Sequence, residues 1–408
     1  MSWEEKRVLI TGIGGFAGSY LARYLIYNGA EVYGLVRRRA DWSIPQNIID
    51  RGINNIVKLV EGDLQDISSL AATLDESQPD VVFHLAAQSF VPKSFVNPIE
   101  TMNINCMGTA NLLEAIRIKE YNPIVVFAGS SEEYGLVISS KRQYERIVKD
   151  GKTVFPEPEK IPEVPIKETN PLRPMSPYAV SKVYGDNLFR NYYHSYGMKT
   201  VVSRGFNHEG AGRGKMFVTS NIVLQVMNFK FGGTDRIKIG NVNAFRDWSH
   251  VMDIVKGYCL LAEKGRCGDV YNQGSMRTNS VLSYILLTLE AAGYNISRIE
   301  TFRGEKKVEN PTEVSNGKMF GVKFEKTKVD EMILKGELEY SLEDEGIYVY
   351  TDKGRIAVEF DPSRFRLAEV PILLSNTSKI QKLGFRVEYR LSDIIRDQIN
   401  YYLDAKRR

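Results

Sequence analysis

Short apolar, β-branched runs alternate with amphipathic stretches through the first half of the chain. The runs are Val8–Thr11, Val32–Val36, Ile56–Val60, Val81–Leu85, Ile124–Ala128 and Thr200–Ser203, and helical patterns lie between them, as at Gly18–Tyr27 and Met107–Ile118. Strands that are apolar on both faces and joined by helices must pair in parallel, because a helical crossover returns the chain in the same direction. The pattern therefore predicts an α/β fold built on a doubly wound parallel sheet. Two stretches interrupt it: the Lys/Glu/Pro-rich segment Lys141–Lys167, and the mixed-charge region Arg303–Val358. Within the second, Ile347-Tyr-Val-Tyr350 alternates as a short antiparallel strand would. Both read as insertions on the scaffold. The apolar positions of Leu391–Leu403 recur at helical spacing and predict a closing helix.

At 408 residues the chain is long enough for two domains or one enlarged unit, and 43% hydrophobic with 25% charged residues excludes disordered and collagen-like classes. A net charge of +4 without a basic tract argues against nucleic-acid binding. Cys106, Cys259 and Cys267 are widely separated, which supports neither a disulfide framework nor a thiolate zinc site. The charged start Glu4-Glu-Lys-Arg7 does not resemble a secretory signal, and Val81–Ala87 is far too short to cross a bilayer. A cytoplasmic protein without membrane partners is expected. His84, His194, His208 and His250 show no metal-ligand spacing, so no metal is expected, and His84 in an apolar strand reads as a satisfied core residue.

After the first apolar run comes Thr11-Gly-Ile-Gly-Gly-Phe-Ala-Gly18, with Gly12, Gly15 and Gly18 spaced as G-x-x-G-x-x-G. A tight turn that brings bare backbone against a pyrophosphate at a helix N-terminus needs glycine at these places. Its position between strand and helix marks a Rossmann-type dinucleotide site. Where an NAD enzyme usually carries an acid after the second strand, this chain has Arg37-Arg-Arg39. Guanidinium groups there would pair with the extra phosphate of NADP, so NADP is the expected cofactor, with Arg37 and Arg38 as its readers. A solvated basic loop is the alternative reading. Asp63-Leu64 and Leu85-Ala-Ala-Gln88 fall at strand ends, where adenine and ribose would lie; Asp63, Leu64, Leu85, Ala86 and Gln88 are the candidates.

Tyr178 and Lys182 stand four apart in Tyr-Ala-Val-Ser-Lys, on one face of a helix. A neighbouring ammonium favours the phenolate that could act as a base near neutral pH. The fifth run ends in Gly129-Ser-Ser-Glu-Glu-Tyr-Gly135, which puts the Ser130 hydroxyl and the carboxylates of Glu132 and Glu133 at the sheet edge where α/β sites form. Simple alcohol oxidation needs no such extra base. Either glutamate could instead cap a following turn.

These motifs resemble the GDP-mannose 4,6-dehydratase family of extended short-chain dehydrogenase/reductases. The likeness rests on Gly129–Gly135, where the family reads Ser-Thr-Ser-Glu-Leu-Tyr-Gly, and on Arg173-Pro-Met-Ser-Pro-Tyr-Ala-Val-Ser-Lys182. Phe206-Asn-His-Glu209, Arg213-Gly214, Phe217-Val-Thr219, Arg246-Asp-Trp248 and Phe360–Val370 complete it. Aligned on Tyr-Gly, the resemblance places Ser130 at the family's catalytic threonine and Glu132 at its base, with Tyr178 and Lys182 completing the set. It implies Phe16 and His208 beside the cofactor, and Ser89, Asn207, Val218, Arg246, Arg366 and Glu369 around a GDP-hexose. It further implies a dinucleotide-binding domain of residues 1–206 with a return segment 240–272, a smaller α/β sugar-nucleotide domain of 207–239 and 273–408, and a homodimer or homotetramer. Three departures stand out: Phe16-Ala17 replaces the usual Gln-Asp, Asn221 stands where a phosphate-binding lysine is usual, and both insertions exceed the family's lengths. A dehydratase of another nucleotide-hexose or heptose, an epimerase or 4-keto reductase, and a catalytically silent NADP-binding protein are the competing readings.

Overall fold

The computed structural model describes residues 2–41, 43–366 and 368–408, so Leu367 of the Phe360–Val370 motif lies outside the described residues. The first half builds β1 (Arg7–Thr11), α1 (Phe16–Tyr27), β2 (Glu31–Val36), β3 (Lys58–Glu61), α2 (Ile67–Ser77), β4 (Val81–His84), α3 (Gly108–Ile118), β5 (Ile124–Ala128), α4 (Pro177–Tyr196) and β6 (Thr200–Gly205). After α5 (Val218–Lys230), β7 (Arg236–Ile239) and α6 (Val251–Lys264), the chain returns as β8 (Val270–Gln273). Together these form a seven-stranded sheet in the order β8-β6-β5-β4-β1-β2-β3. Every pairing in it is parallel.

Apolar residues fill both faces of this sheet, which is why its strands read as continuous hydrophobic runs. One face packs Val8, Ile10, Val81 and Phe83 against Leu21 and Leu25 of α1 and Ile254, Val255 and Tyr258 of α6. The other packs Leu9, Val82, Val125 and Phe127 against Leu70, Leu74, Leu112, Leu113 and Phe189.

Three boundaries differ from the sequence pattern. Ile56 is not in β3: its N–H closes a turn onto the Ile53 carbonyl and its side chain is exposed, so the strand starts at Lys58. Helix α3 is preceded by a wide turn at Asn103–Met107. There Asn105 turns inward, accepting from Gln88 N–H at 2.8 Å and donating to Ser181 Oγ at 2.8 Å. Strand β6 runs two residues past Ser203, through a buried arginine.

A second sheet forms from β9 (Ile296–Thr301), β10 (Lys307–Glu309), β11 (Gly346–Thr351) and β12 (Gly354–Phe360) with β7, in the order β10-β9-β11-β12-β7. Its strands pair antiparallel except for β12 with β7. Its apolar face packs on α5, on α7 (Val281–Ala291) and on the closing helix α8 (Leu391–Leu403), which has the bounds its periodicity predicts. The two insertions meet each other. Val164 and Ile166 of the first share a core with Phe324 of the second, and Arg146 pairs with Glu339 at 2.9 Å. Among the described residues no helix is long and apolar enough to cross a membrane.

Candidate active site

The strand order of the larger sheet reverses between β1 and β4, and a crevice opens at the carboxyl ends of the strands there. It holds a cavity of about 2050 Å³, roughly twice the upper end of the usual small-ligand range of about 300–1,000 Å³. Every candidate residue named above except Glu133 lines this one cavity, from Gly12 through Tyr178 to Glu369. It offers the volume for two large ligands, a dinucleotide and a nucleotide sugar.

The glycine loop fits a pyrophosphate. Gly12 has φ +76°, and a Cβ there would lie 2.7 Å from Ala86 N, so neither conformation nor space admits a side chain. Gly15 caps α1 with no side-chain acceptor, which leaves the N–H groups of the first turn for an anion. At the rim, Arg37, Arg38 and Arg39 are exposed, as charges waiting for a solvent-facing phosphate would be. Asp63 closes a local turn through Gln65 N–H at 2.9 Å. Gln88 lines the cavity, but its amide is held by the protein: Oε1 accepts from Phe90 N–H at 2.7 Å and Nε2 donates to Thr101 Oγ1 at 3.1 Å. His84 is a satisfied core residue, bonded between Thr11 Oγ1 at 2.7 Å and Thr109 Oγ1 at 2.9 Å.

Tyr178 and Lys182 sit in the first turns of α4, whose start is fixed by Ser176 accepting from Ala179 N–H and by Pro177 at its first position. Both are buried. Lys182 Nζ donates to the Ala128 carbonyl at 2.7 Å, and burial lowers its pKa to about 8. Burial holds the Tyr178 phenol well above its ordinary range, while a hydrogen bond with Ser130 and the Arg213 charge act downward. Such a phenol needs a neighbouring positive charge, of the kind an oxidised nicotinamide ring carries, to reach the phenolate.

The turn after β5 separates the two glutamates. Glu133 reaches back so that Oε1 accepts from Ser130 N–H at 2.7 Å; it is the capping residue and does not reach the cavity. Glu132 does, and its Oε1 stands 3.5 Å from Arg366 Nη1. Arg246 lies deeper, donating to the carbonyls of Phe245 and Val370 and to Glu369 Oε1 at 2.7 Å. Asn207 Oδ1 is buried in the wall without a hydrogen-bond partner, an orphan that a ligand donor would satisfy. His208 donates from Nδ1 to the Phe206 carbonyl at 3.1 Å and lies parallel to the Phe16 ring; burial lowers its pKa to about 4, so the ring is neutral.

Two lining arginines carry no role in the sequence reading. Arg213 covers the Phe217 ring at 3.7 Å and faces Glu209 at 3.5 Å; it stood in a quoted motif, which was the available signal. Arg364 donates from Nη1 to Asn221 Oδ1 at 2.8 Å. It thus brings a guanidinium to Asn221, where the resemblance leads to the expectation of a lysine, and no local spacing reveals that contact. Among the described residues no group of three or more His, Cys, Asp or Glu side chains is arranged to hold a metal ion.

Comparison with known proteins places this geometry in a family. Residues 8–274 match the NAD dependent epimerase/dehydratase family, and residues 159–398 match the family described as GDP-mannose 4,6 dehydratase. A GDP-mannose 4,6-dehydratase of Yersinia enterocolitica is 32% identical over 405 residues, covering 97% of this chain and 93% of its own. One from Arabidopsis thaliana is 32% identical, covering 81% of this chain and 84% of its own. Among solved structures, RMD from Pseudomonas aeruginosa complexed with NADPH superposes with a TM-score of 0.67 at 22% identity, over 97% of this chain and 98% of that one. UDP-glucose 4-epimerase of Thermus thermophilus in complex with NAD gives 0.67 at 21% identity, over 98% and 99%. These two share the fold of nicotinamide-dependent enzymes. The chain belongs to the GDP-mannose 4,6-dehydratase family.

Proposed function

We propose that the chain dehydrates GDP-mannose to GDP-4-keto-6-deoxy-mannose with NADP as a retained cofactor. The observation that carries this reading is the meeting of Ser130, Glu132, Tyr178 and Lys182 in one cavity, with Glu132 rather than Glu133 presented to it. The glycine loop and the N-terminus of α1 would hold the pyrophosphate of NADP, and Arg37 and Arg38 its extra phosphate. Asp63, Leu64, Leu85, Ala86 and Gln88 would flank the adenine half, with Phe16 and His208 nearer the nicotinamide. When bound, the nicotinamide supplies a hydride acceptor for sugar carbon 4 and a hydride donor for carbon 6.

Tyr178 takes the proton of the carbon 4 hydroxyl while Ser130 bonds the same oxygen and Lys182 stabilises the phenolate. The ketone so formed acidifies carbon 5, and Glu132 removes that proton as the carbon 6 hydroxyl leaves as water. Arg246 and Arg366 hold the substrate pyrophosphate. Asn207 and Glu369 contact the nucleotide sugar, beside Ser89 and Val218. Arg366 Nη1 lies 3.5 Å from Glu132 Oε1, so the group that grips the pyrophosphate stands beside the base.

The working protein is a cytoplasmic homodimer or homotetramer. Exposed apolar side chains at Val96, Ile99, Val180 and Tyr184, on segments that pack together, support a covered face. The decisive experiment supplies GDP-mannose deuterated at carbon 4. The label is expected on the new methyl group, and its absence from a product lighter by one water sinks the internal cycle. A product of unchanged mass assigns epimerisation instead.

A further inference from the structure

Glu133 has no part in the reaction above, yet it is a wholly buried carboxylate at the edge of the site. Its Oε1 accepts from Ser130 N–H at 2.7 Å, and its Oε2 lies 3.2 Å from Arg204 Nε. Arg204, buried in β6, donates from the same Nε to Asp186 Oδ2 at 2.9 Å. Its Nη1 donates to the Tyr134 hydroxyl and the Glu168 carbonyl, each at 3.0 Å. Asp186 is one turn beyond Lys182 on α4. A Cβ on Gly129 would stand 2.6 Å from Glu133 Oε1, so the backbone is bare where the carboxylate passes. Three buried charges are dearer to desolvate than three apolar side chains, and at position 133 the family's motif has leucine.

We propose that Glu133, paired with Arg204, is a positioning residue: it fixes the Ser130–Glu132 turn against β6 and, through the Arg204–Asp186 pair, against α4. The proposal rests on the roles given above to Ser130 and Glu132. The ion cluster ties the turn after β5 and α4, the two elements that carry the reacting side chains, to strand β6. Burial and the Asp186 carboxylate raise the Glu133 pKa while Arg204 and the Ser130 N–H lower it, so the group serves the site through its geometry and not as a fixed charge.

Glu133→Gln keeps the volume and an acceptor for Ser130 N–H, whereas Glu133→Leu loses the acceptor. At pH 7, Glu133→Leu is expected to lower kcat roughly 10-fold, short of the ~10²–10⁴ loss of a group that moves a proton itself, with KM for GDP-mannose held within about threefold, and Glu133→Gln to bring kcat back to within about threefold of wild type. A second readout needs no turnover: the unfolding midpoints of Glu133→Leu, Arg204→Met and the double variant depart from additivity by more than about 1 °C. Glu133→Leu with wild-type kcat, or additive midpoints, overturns the proposal. Wild-type protein that leaves GDP-mannose untouched refutes the functional reading alone, and the additivity measurement still decides whether Glu133 acts through Arg204.

Discussion

Gly18→Ala tests whether the loop after β1 is a pyrophosphate cradle. A Cβ at position 18 would stand 2.3 Å from the Gly12 carbonyl oxygen, 2.8 Å from Ile13 Cα and 2.9 Å from Gly12 C. Ordinary van der Waals contact begins at 3.4 Å, so the first of these is short by about 1 Å. All three atoms are backbone, and no side chain can rotate aside. The loop and α1 must separate, which carries the N–H groups of the first turn away from the phosphate. Overpacking of this kind costs ~1–3 kcal/mol; carried into binding at about 1.4 kcal/mol per tenfold, that is a ~5–150-fold rise in Kd. Gly15→Ala is the graded control, because its Cβ meets one atom, the Gly12 carbonyl oxygen, at 3.1 Å. Calorimetric titration of NADP into the three proteins at one salt concentration measures the series. A Gly18→Ala protein that binds within twofold of wild type at an unchanged melting temperature would refute the assignment of this loop.

The other expectations address the reaction, the cofactor and the scaffold. Glu132→Gln should still oxidise carbon 4 but lose ~10²–10⁴-fold in dehydration, seen as transient absorbance of reduced cofactor without 4-keto-6-deoxy product; unimpaired product formation removes Glu132 from its role. Arg37→Ala should cost NADP roughly 10-fold in affinity and leave NAD unchanged, and equal losses for both count against the phosphate reading. Glu163→Gln breaks a buried, two-point ion pair with Arg173, at 2.7 and 2.9 Å, and should lower stability by ~3–5 kcal/mol in urea unfolding. His84→Asn tests linkage. Burial pushes the imidazole from 6.5 down to about 3, so between those pH values the unfolded chain holds a proton that the folded chain refuses. Stability therefore falls as pH drops through that window, by up to about 1.4 kcal/mol per unit, and the variant should flatten this slope.

Periodicity made most of the scaffold legible, because each doubly buried strand and each amphipathic helix leaves its own spacing in the chain. Helix α8 and the four-residue step from Tyr178 to Lys182 are of this kind. The two adjacent glutamates were not separable by spacing, since both lie in one short turn and only burial tells the cap from the cavity-facing carboxylate. Arg204 was hidden for a related reason. An arginine inside an apolar run reads as the end of a strand, and here its charge is met by Glu133 and Asp186, far away in sequence. Lys58 likewise opens β3 because its ammonium pairs with Glu31 on the neighbouring strand.

Strand β8 joins the edge of the larger sheet only after the chain has passed through α5, β7 and α6. During synthesis, β6 must therefore wait for about 70 further residues, several seconds at roughly 5–20 residues per second, with one row of its N–H and C=O groups open. An open edge of this kind invites pairing with a neighbouring nascent chain.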